Sequence, residues 1–197
     1  LNRPFDHAGG FFIRRTLFPG GYDSAVLDLT VDLPQTPLEN AFLQVVLLDP
    51  QGAPALTREE PLAAGGPVHL ACPVAAPALW SDELPALYRL AVTLVQGGAA
   101  LDARGLWVGF REVRADGDRL LLNGRPYFQN GLLDQGYWSD GLYTAPSDEA
   151  LVYDIETAKS MGFNLLRKHI KIEPARWYYH CDRLGMLVWQ DMVSGGG

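Results

Sequence analysis

The stretch GFNLLRKHIKIEPARWYYHCDRLGMLVWQDM, residues 162–192, decides the fold class. Two apolar runs, 164–166 and 186–189, read as buried strands, and each ends in charge: Arg167, Lys168 and His169 after the first, Asp191 after the second. Between them Pro174 suits a first helical turn, Trp177, Cys181 and Leu184 fall on one helical face, and Gly185 supplies a stop. A second helix is predicted just upstream in PSDEALVYDIETAKSMGF, residues 146–163. Ser147 is its N-cap, Asp148 and Glu149 complement the positive helix start, and Gly162 ends it. Leu151, Ile155, Ala158 and Met161 form the expected buried stripe. Apolar strands alternating with helices imply parallel strands covered by helices, hence an α/β sheet or a barrel that has only begun.

In such architectures ligands lie at the carboxyl ends of the strands. Period two groups Leu165 with Arg167 and His169, and Leu187 with Trp189 and Asp191. If those are the inward sides, Arg167, His169, Trp189 and Asp191 line the floor of one pocket. The competing reading is an Arg167–Asp191 ion pair that only caps the structure, with Trp189 as packing, and spacing does not separate the two. The loop DQGYWSDGLYT, residues 134–144, follows the first parallel strand. It supplies aromatic faces (Tyr137, Trp138, Tyr143) for the flat side of a sugar and carboxylates (Asp134, Asp140) for its hydroxyls. The same loop could simply pack over the strand ends.

The first 110 or so residues alternate with period two instead. Leu27, Leu29, Val31 and Leu33 share a face, as do Val68, Leu70, Cys72 and Val74, and again Tyr88, Leu90, Val92 and Leu94. FLQVVLLD, residues 42–49, adds a more fully buried strand. Turn residues separate these runs, and the pattern predicts an immunoglobulin-like β-sandwich over residues 1–112. His69 lies on the outward side of its strand and is read as a solvated histidine; His7 carries no signal. In LLLNGRPYF, residues 120–128, Asn123-Gly124 is a hairpin signal, because both residues tolerate positive φ.

With 197 residues, 48% of them hydrophobic, the chain is long enough for a sizeable core and is expected to be a soluble globular protein. A net charge of −7 argues against nucleic acid or an anionic membrane as partner. No apolar run reaches the ~20 residues a spanning helix needs. The first methionine is Met161, so the chain is read as an excised piece of a longer protein. Cys72 and Cys181 show no zinc spacing with the four histidines and are read as reduced core thiols; no metal or cofactor is expected.

Ordered segments of the chain resemble glycoside hydrolase family 2, which includes β-galactosidases, β-glucuronidases and β-mannosidases. ALWSDELPALYRLAVTL (78–94) is similar to the segment before the last strands of that family's immunoglobulin-like domain. GFREV (109–113) and LLLNGRPYFQNG (120–131) resemble its passage into a catalytic (β/α)8 barrel. DEALVYDIETAKSMGFNLLRKH (148–169) is similar to the first barrel helix and second strand, and CDRLGMLVWQDM (181–192) to the end of its first signature.

The resemblance implies a retaining β-glycosidase acting on a carbohydrate substrate: a galactoside, mannoside or glucuronide. Its two catalytic glutamates belong to later barrel strands, so residues 113–197 are expected to be the first three strands of the barrel and to hold part of the pocket without the catalytic pair. Arg167 matches the family's arginine under the active-site carboxylates, and Asp191 falls where other members carry an acidic residue. The family usually places its histidine three residues after that arginine, whereas His169 follows after two. The expected substrate-binding residues are thus Arg167, His169, Trp189, Asp191, Asp134 and Trp138. The alternatives are a non-catalytic carbohydrate-binding module and a structural bracing domain. An uncovered strand edge and uncovered apolar helix faces lead us to expect either self-association as a homo-oligomer or an ordered sandwich with a less ordered C-terminal third.

Overall fold

A computed structural model describes residues 11–33, 39–63 and 66–193. The described residues form two compact units, one of those within 1–79 and 87–110 and one of those within 80–86 and 111–197.

The first unit is built of two antiparallel sheets. One has the order β1 (Phe11–Leu17), β2 (Ser24–Asp32), β5 (Pro67–Ala75). The other has the order β4 (Pro54–Leu62), β3 (Ala41–Leu48), β6 (Tyr88–Gln96), β7 (Ala99–Val108). The alternation seen in the sequence is the alternation of burial: Leu27, Leu29 and Val31 from β2 and Leu90, Val92 and Leu94 from β6 are buried in one shared core, and β3, expected to be more fully buried, alternates as well, with Leu43, Val45 and Leu47 in that core and the residues between them only half-buried. Each such side chain stabilises the fold by about 1.5–3 kcal/mol relative to exposure. His69 is exposed, with Nδ1 3.0 Å from the Thr30 hydroxyl.

The second unit opens with a small antiparallel sheet of β8 (Val113–Asp116), β9 (Arg119–Leu122) and β10 (Arg125–Pro126). Asn123 and Gly124 turn β9 into β10 at φ of 51° and 74°, the conformation the hairpin signal requires. Then comes a parallel sheet ordered β11 (Gly131–Asp134), β12 (Leu165–Lys168), β13 (Leu187–Gln190), with α1 (Asp148–Ser160) and α2 (Ala175–Leu184) as its connections. Where the first three strands of a barrel are expected, the described residues form an open sheet with two helices, and no barrel closes among them. None of the described helices is long and apolar enough to cross a membrane.

Two caps are those read from the sequence: Ser147 accepts from the Ala150 N–H, and Gly185 ends α2 at φ 74°. Pro174, expected in the first helical turn, stands one place earlier as the extended N-cap of α2, which begins at Ala175. Leu151, Ile155 and Ala158 pack with Leu166, Trp177, Cys181 and Met186 in the second core. Met161 does not join them: it is the C-cap of α1 and 68% exposed, because the helix ends at Ser160 before the stripe can continue. The strands also run further than their apolar residues. β12 reaches Lys168 and β13 reaches Gln190, since backbone pairing through Lys168↔Gln190 continues irrespective of side-chain charge.

The segment Trp80–Ala86, which lies in sequence between β5 and β6, is a strap of the second unit. Trp80 is fully buried there; its indole N–H donates to the Asp182 carbonyl at 2.7 Å, and the Arg111 guanidinium lies 4.3 Å from its ring centre. Asn123 donates to the Trp80 carbonyl at 3.0 Å, and Lys159 Nζ donates to the carbonyls of Asp82 at 2.6 Å and Gly185 at 3.2 Å, and to that of Leu184. Gly185 sits so close to the Asp82 carbonyl that a Cβ there would collide with it.

Candidate functional site

The register of the parallel sheet sorts the residues after the apolar runs into two sets. Leu133, Arg167 and Trp189 are direct neighbours in one row; Asp134, Lys168 and Gln190 form the next. Successive rows face opposite sides. The second side carries Leu166 and Lys168 into the helix-covered core, whereas Leu133, Arg167 and Trp189 are 53–54% exposed on the other, open face.

On the open face Arg167 engages Asp191 through two hydrogen bonds, Nε to Oδ1 at 3.3 Å and Nη2 to Oδ2 at 3.1 Å. This paired geometry orients the planar guanidinium against the carboxylate beside Trp189. The backbone ladder extends one row further, with His169 N–H donating to the Asp134 carbonyl at 2.9 Å and Asp191 N–H to the Lys168 carbonyl at 3.1 Å. That next row is Gln135, His169 and Asp191, and Gln135 Nε2 is 3.0 Å from His169 Nδ1. Beneath it, toward the amino ends of the strands, Leu165, Leu187 and Trp189 line a hollow of about 290 Å³ with Val113, Leu120 and Gln129.

Asp134 and Trp138 lie elsewhere. Asp134, on the helix side, accepts from Lys168 Nζ at 2.6 Å and from the Gly136 N–H at 2.8 Å. Lys168 is 1% exposed and also donates to Glu173 at 2.9 Å, with its ammonium 4.3 Å from the Trp177 ring centre. Lys171 completes the cluster, 2.9 Å from the same Glu173 oxygen and 2.7 Å from each of the carbonyls of Gly136 and Tyr143. Two cations facing two carboxylates balance the buried charge, which one unpaired ion could not do. The cluster joins the β11–α1 loop to the β12–α2 loop. Gly136, at φ 65°, passes so near Glu173 and Lys171 that a side chain there would strike both.

Trp138 is half-buried against the helix core, and its backbone pairs with Leu142 in both directions, at 2.7 and 3.0 Å. Tyr137 and Tyr143 are the exposed aromatics of this loop, their ring centres 4.7 Å apart and their hydroxyls 2.6 Å apart. That hydrogen bond holds the Tyr137 hydroxyl above its ordinary range. Asp140 accepts from the neighbouring Ser139 hydroxyl.

Sequence reasoning missed Gln135, for which no local signal exists, and the Lys168–Glu173 cluster, whose only trace was the alternation that sets Lys168 opposite Arg167. The described residues contain no group of three or more His, Cys, Asp or Glu arranged to hold a metal ion.

Residues 13–111, half of the chain, match the sequence profile of Glycosyl hydrolases family 2. The chain belongs to that family. Over 119 residues this family 2 chain is 40% identical to a protein named β-galactosidase from Enterobacter cloacae, an alignment that takes in 59% of the chain and 11% of that protein. A family 2 member from Bacteroides cellulosilyticus DSM 14838 superposes with a TM-score of 0.83 at 26% identity, over 92% of this chain and 26% of the other. The Parabacteroides merdae β-glucuronidase superposes with a TM-score of 0.79 over 95% of this chain and 25% of its own, at an identity of 18% that speaks for the fold alone. The family 2 chain thus spans about a tenth of the curated relative's length.

Proposed function

We propose that this family 2 chain is part of a retaining β-glycoside hydrolase, with an immunoglobulin-like sandwich followed by the opening strands of a catalytic barrel. In that reading the open face of the parallel sheet is one wall of the sugar pocket. The observation that carries it is the Arg167–Asp191 pair beside Trp189, at the carboxyl ends of neighbouring parallel strands and on the face no helix covers. A guanidinium, a carboxylate and an indole on one surface offer what a pyranose needs: hydrogen-bond donors and acceptors for its hydroxyls and a flat apolar partner for its ring. The named curated relative points to a β-galactoside, and the family resemblance adds a β-glucuronide and a β-mannoside.

Retaining hydrolysis uses two carboxyl groups about 5–5.5 Å apart. Among the described residues the rows of the open face carry one, Asp191, and Arg167 engages it. The 197-residue chain alone is therefore expected to leave aryl β-glycosides intact. In the full-length protein carrying these residues, Arg167→Ala and Asp191→Ala should each lower kcat/KM by about 100-fold or more, with melting temperature nearly unchanged. A large fall in melting temperature at undiminished activity would favour the purely structural ion pair. The exposed Tyr137–Tyr143 pair supports a second reading, non-catalytic carbohydrate recognition, which sugar binding without hydrolysis by the full-length protein would favour.

A further inference from the structure

We infer that Gln135 is a positioning residue that fixes the ring of His169 and so decides which imidazole nitrogen the pocket meets. The functional consequence rests on the open face being the sugar wall; the ring assignment stands on geometry alone. Gln135 follows β11 and His169 follows β12, in the same row as Asp191, one residue past the last paired positions of the sheet. His169 is held from two directions: its backbone N–H donates to the Asp134 carbonyl at 2.9 Å, and its Nδ1 stands 3.0 Å from Gln135 Nε2.

An amide nitrogen is a donor only, so Nδ1 must present its lone pair and the ring proton must reside on Nε2. The loop that carries Gln135 is itself anchored one residue on, where the Gly136 N–H donates to Asp134 and the Gly136 carbonyl accepts from Lys171. The amide is thereby braced from the buried Lys168–Glu173 cluster on the other side of the sheet. His169 then offers the open face an N–H donor at Nε2, suited to an oxygen of a hydroxyl or a glycosidic linkage. Gln135, which carries no charge and no catalytic proton, acts through the histidine.

The test has two arms. In the first, the 197-residue chain is labelled with ¹⁵N-histidine and the long-range ¹H–¹⁵N pattern of His169 is recorded, with assignment by its absence in His169→Gln. The expected result is a proton on Nε2, a mixture of tautomers in Gln135→Leu, and a proton on Nδ1 in Gln135→Glu, whose carboxylate can only accept. A proton on Nδ1 in the unsubstituted chain, or a pattern unchanged by Gln135→Leu, overturns the assignment.

In the second arm the full-length protein is assayed on p-nitrophenyl β-galactoside, β-glucuronide and β-mannoside. Gln135→Leu should lower kcat/KM on the substrate it hydrolyses by about tenfold, the worth of one hydrogen bond net of water, chiefly through KM and with the melting temperature unchanged. Unaltered kinetics in that variant would overturn the positioning role. Absence of turnover on all three substrates would remove the glycosidase reading, while the spectra would still decide the ring.

Discussion

Adjacent residues of the RKHIK run do unrelated work. Arg167 is half exposed on the open face and pairs with Asp191, while Lys168, the next residue, is 1% exposed and held by Asp134, Glu173 and the Trp177 ring. Alternation along a strand was enough to separate them, but only the fold shows that the lysine's side is the covered one. An ammonium in that position is tolerable because two carboxylates surround it. Lys168→Met should therefore cost stability even though it removes a charge from the core. It leaves Asp134 without its cation and Glu173 with Lys171 alone. We expect a loss of about 3 kcal/mol, the lower end for breaking a buried pair, measured by urea denaturation of the chain. A variant as stable as the parent would show that the cluster contributes nothing net.

Among the elements, the two helices were legible because their caps and stripes are local, and the misplacement of Met161 in the buried stripe was an error of helix length. The strap was not legible: nothing in WSDELPA, 80–86, distinguishes a sandwich loop from a piece of the following unit. Its energy lies in contacts about 100 residues distant, such as the bond from the Trp80 indole to the Asp182 carbonyl. Trp80→Ala should destabilise the second unit by about 3–5 kcal/mol, the usual cost of emptying a large aromatic site.

Helix α1 carries a second, weaker adjustment. Asp154 lines a groove of about 490 Å³ at the β11 edge with Leu132, Gln135 and Tyr137, and burial, then the charge of Asp134, raise its pKa in the folded chain. With the folded value above the unfolded one, the native state binds the proton more tightly, so this carboxylate's contribution to stability falls as pH rises between the two values. Asp154→Asn should accordingly raise the urea midpoint at pH 7, and the advantage should vanish as the pH is lowered below both values. An advantage that persists in acid would assign the effect to helix propensity instead.

At the scale of the molecule, each unit has its own core and its own buried thiol, Cys72 in the first and Cys181 in the second. Burial raises both thiol pKa values, so each cysteine is inert in its folded unit and reports the opening of that unit alone. In the folded chain neither should react with Ellman's reagent. In Trp80→Ala, Cys181 should be modified faster while Cys72 keeps the parent rate, followed by mass spectrometry of the two cysteine peptides. Equal acceleration of both would mean that the two cores open as one.

What the amino-acid order determined by itself is whatever repeats over a few residues: the two-residue burial rhythm of β2, β5 and β6, the caps at Ser147 and Gly185, the Asn123–Gly124 turn, and the grouping of Arg167 with its alternate neighbours. These follow from backbone geometry that acts within one turn or one pleat. Tertiary structure alone decided which face of the parallel sheet the helices cover, that Asp134 serves Lys168 rather than the open face, that Trp138 packs inward, and that Gln135 meets His169. Those outcomes depend on register between strands more than 30 residues apart. Such register is set by the collective packing of both cores and leaves no mark at any single position of the chain.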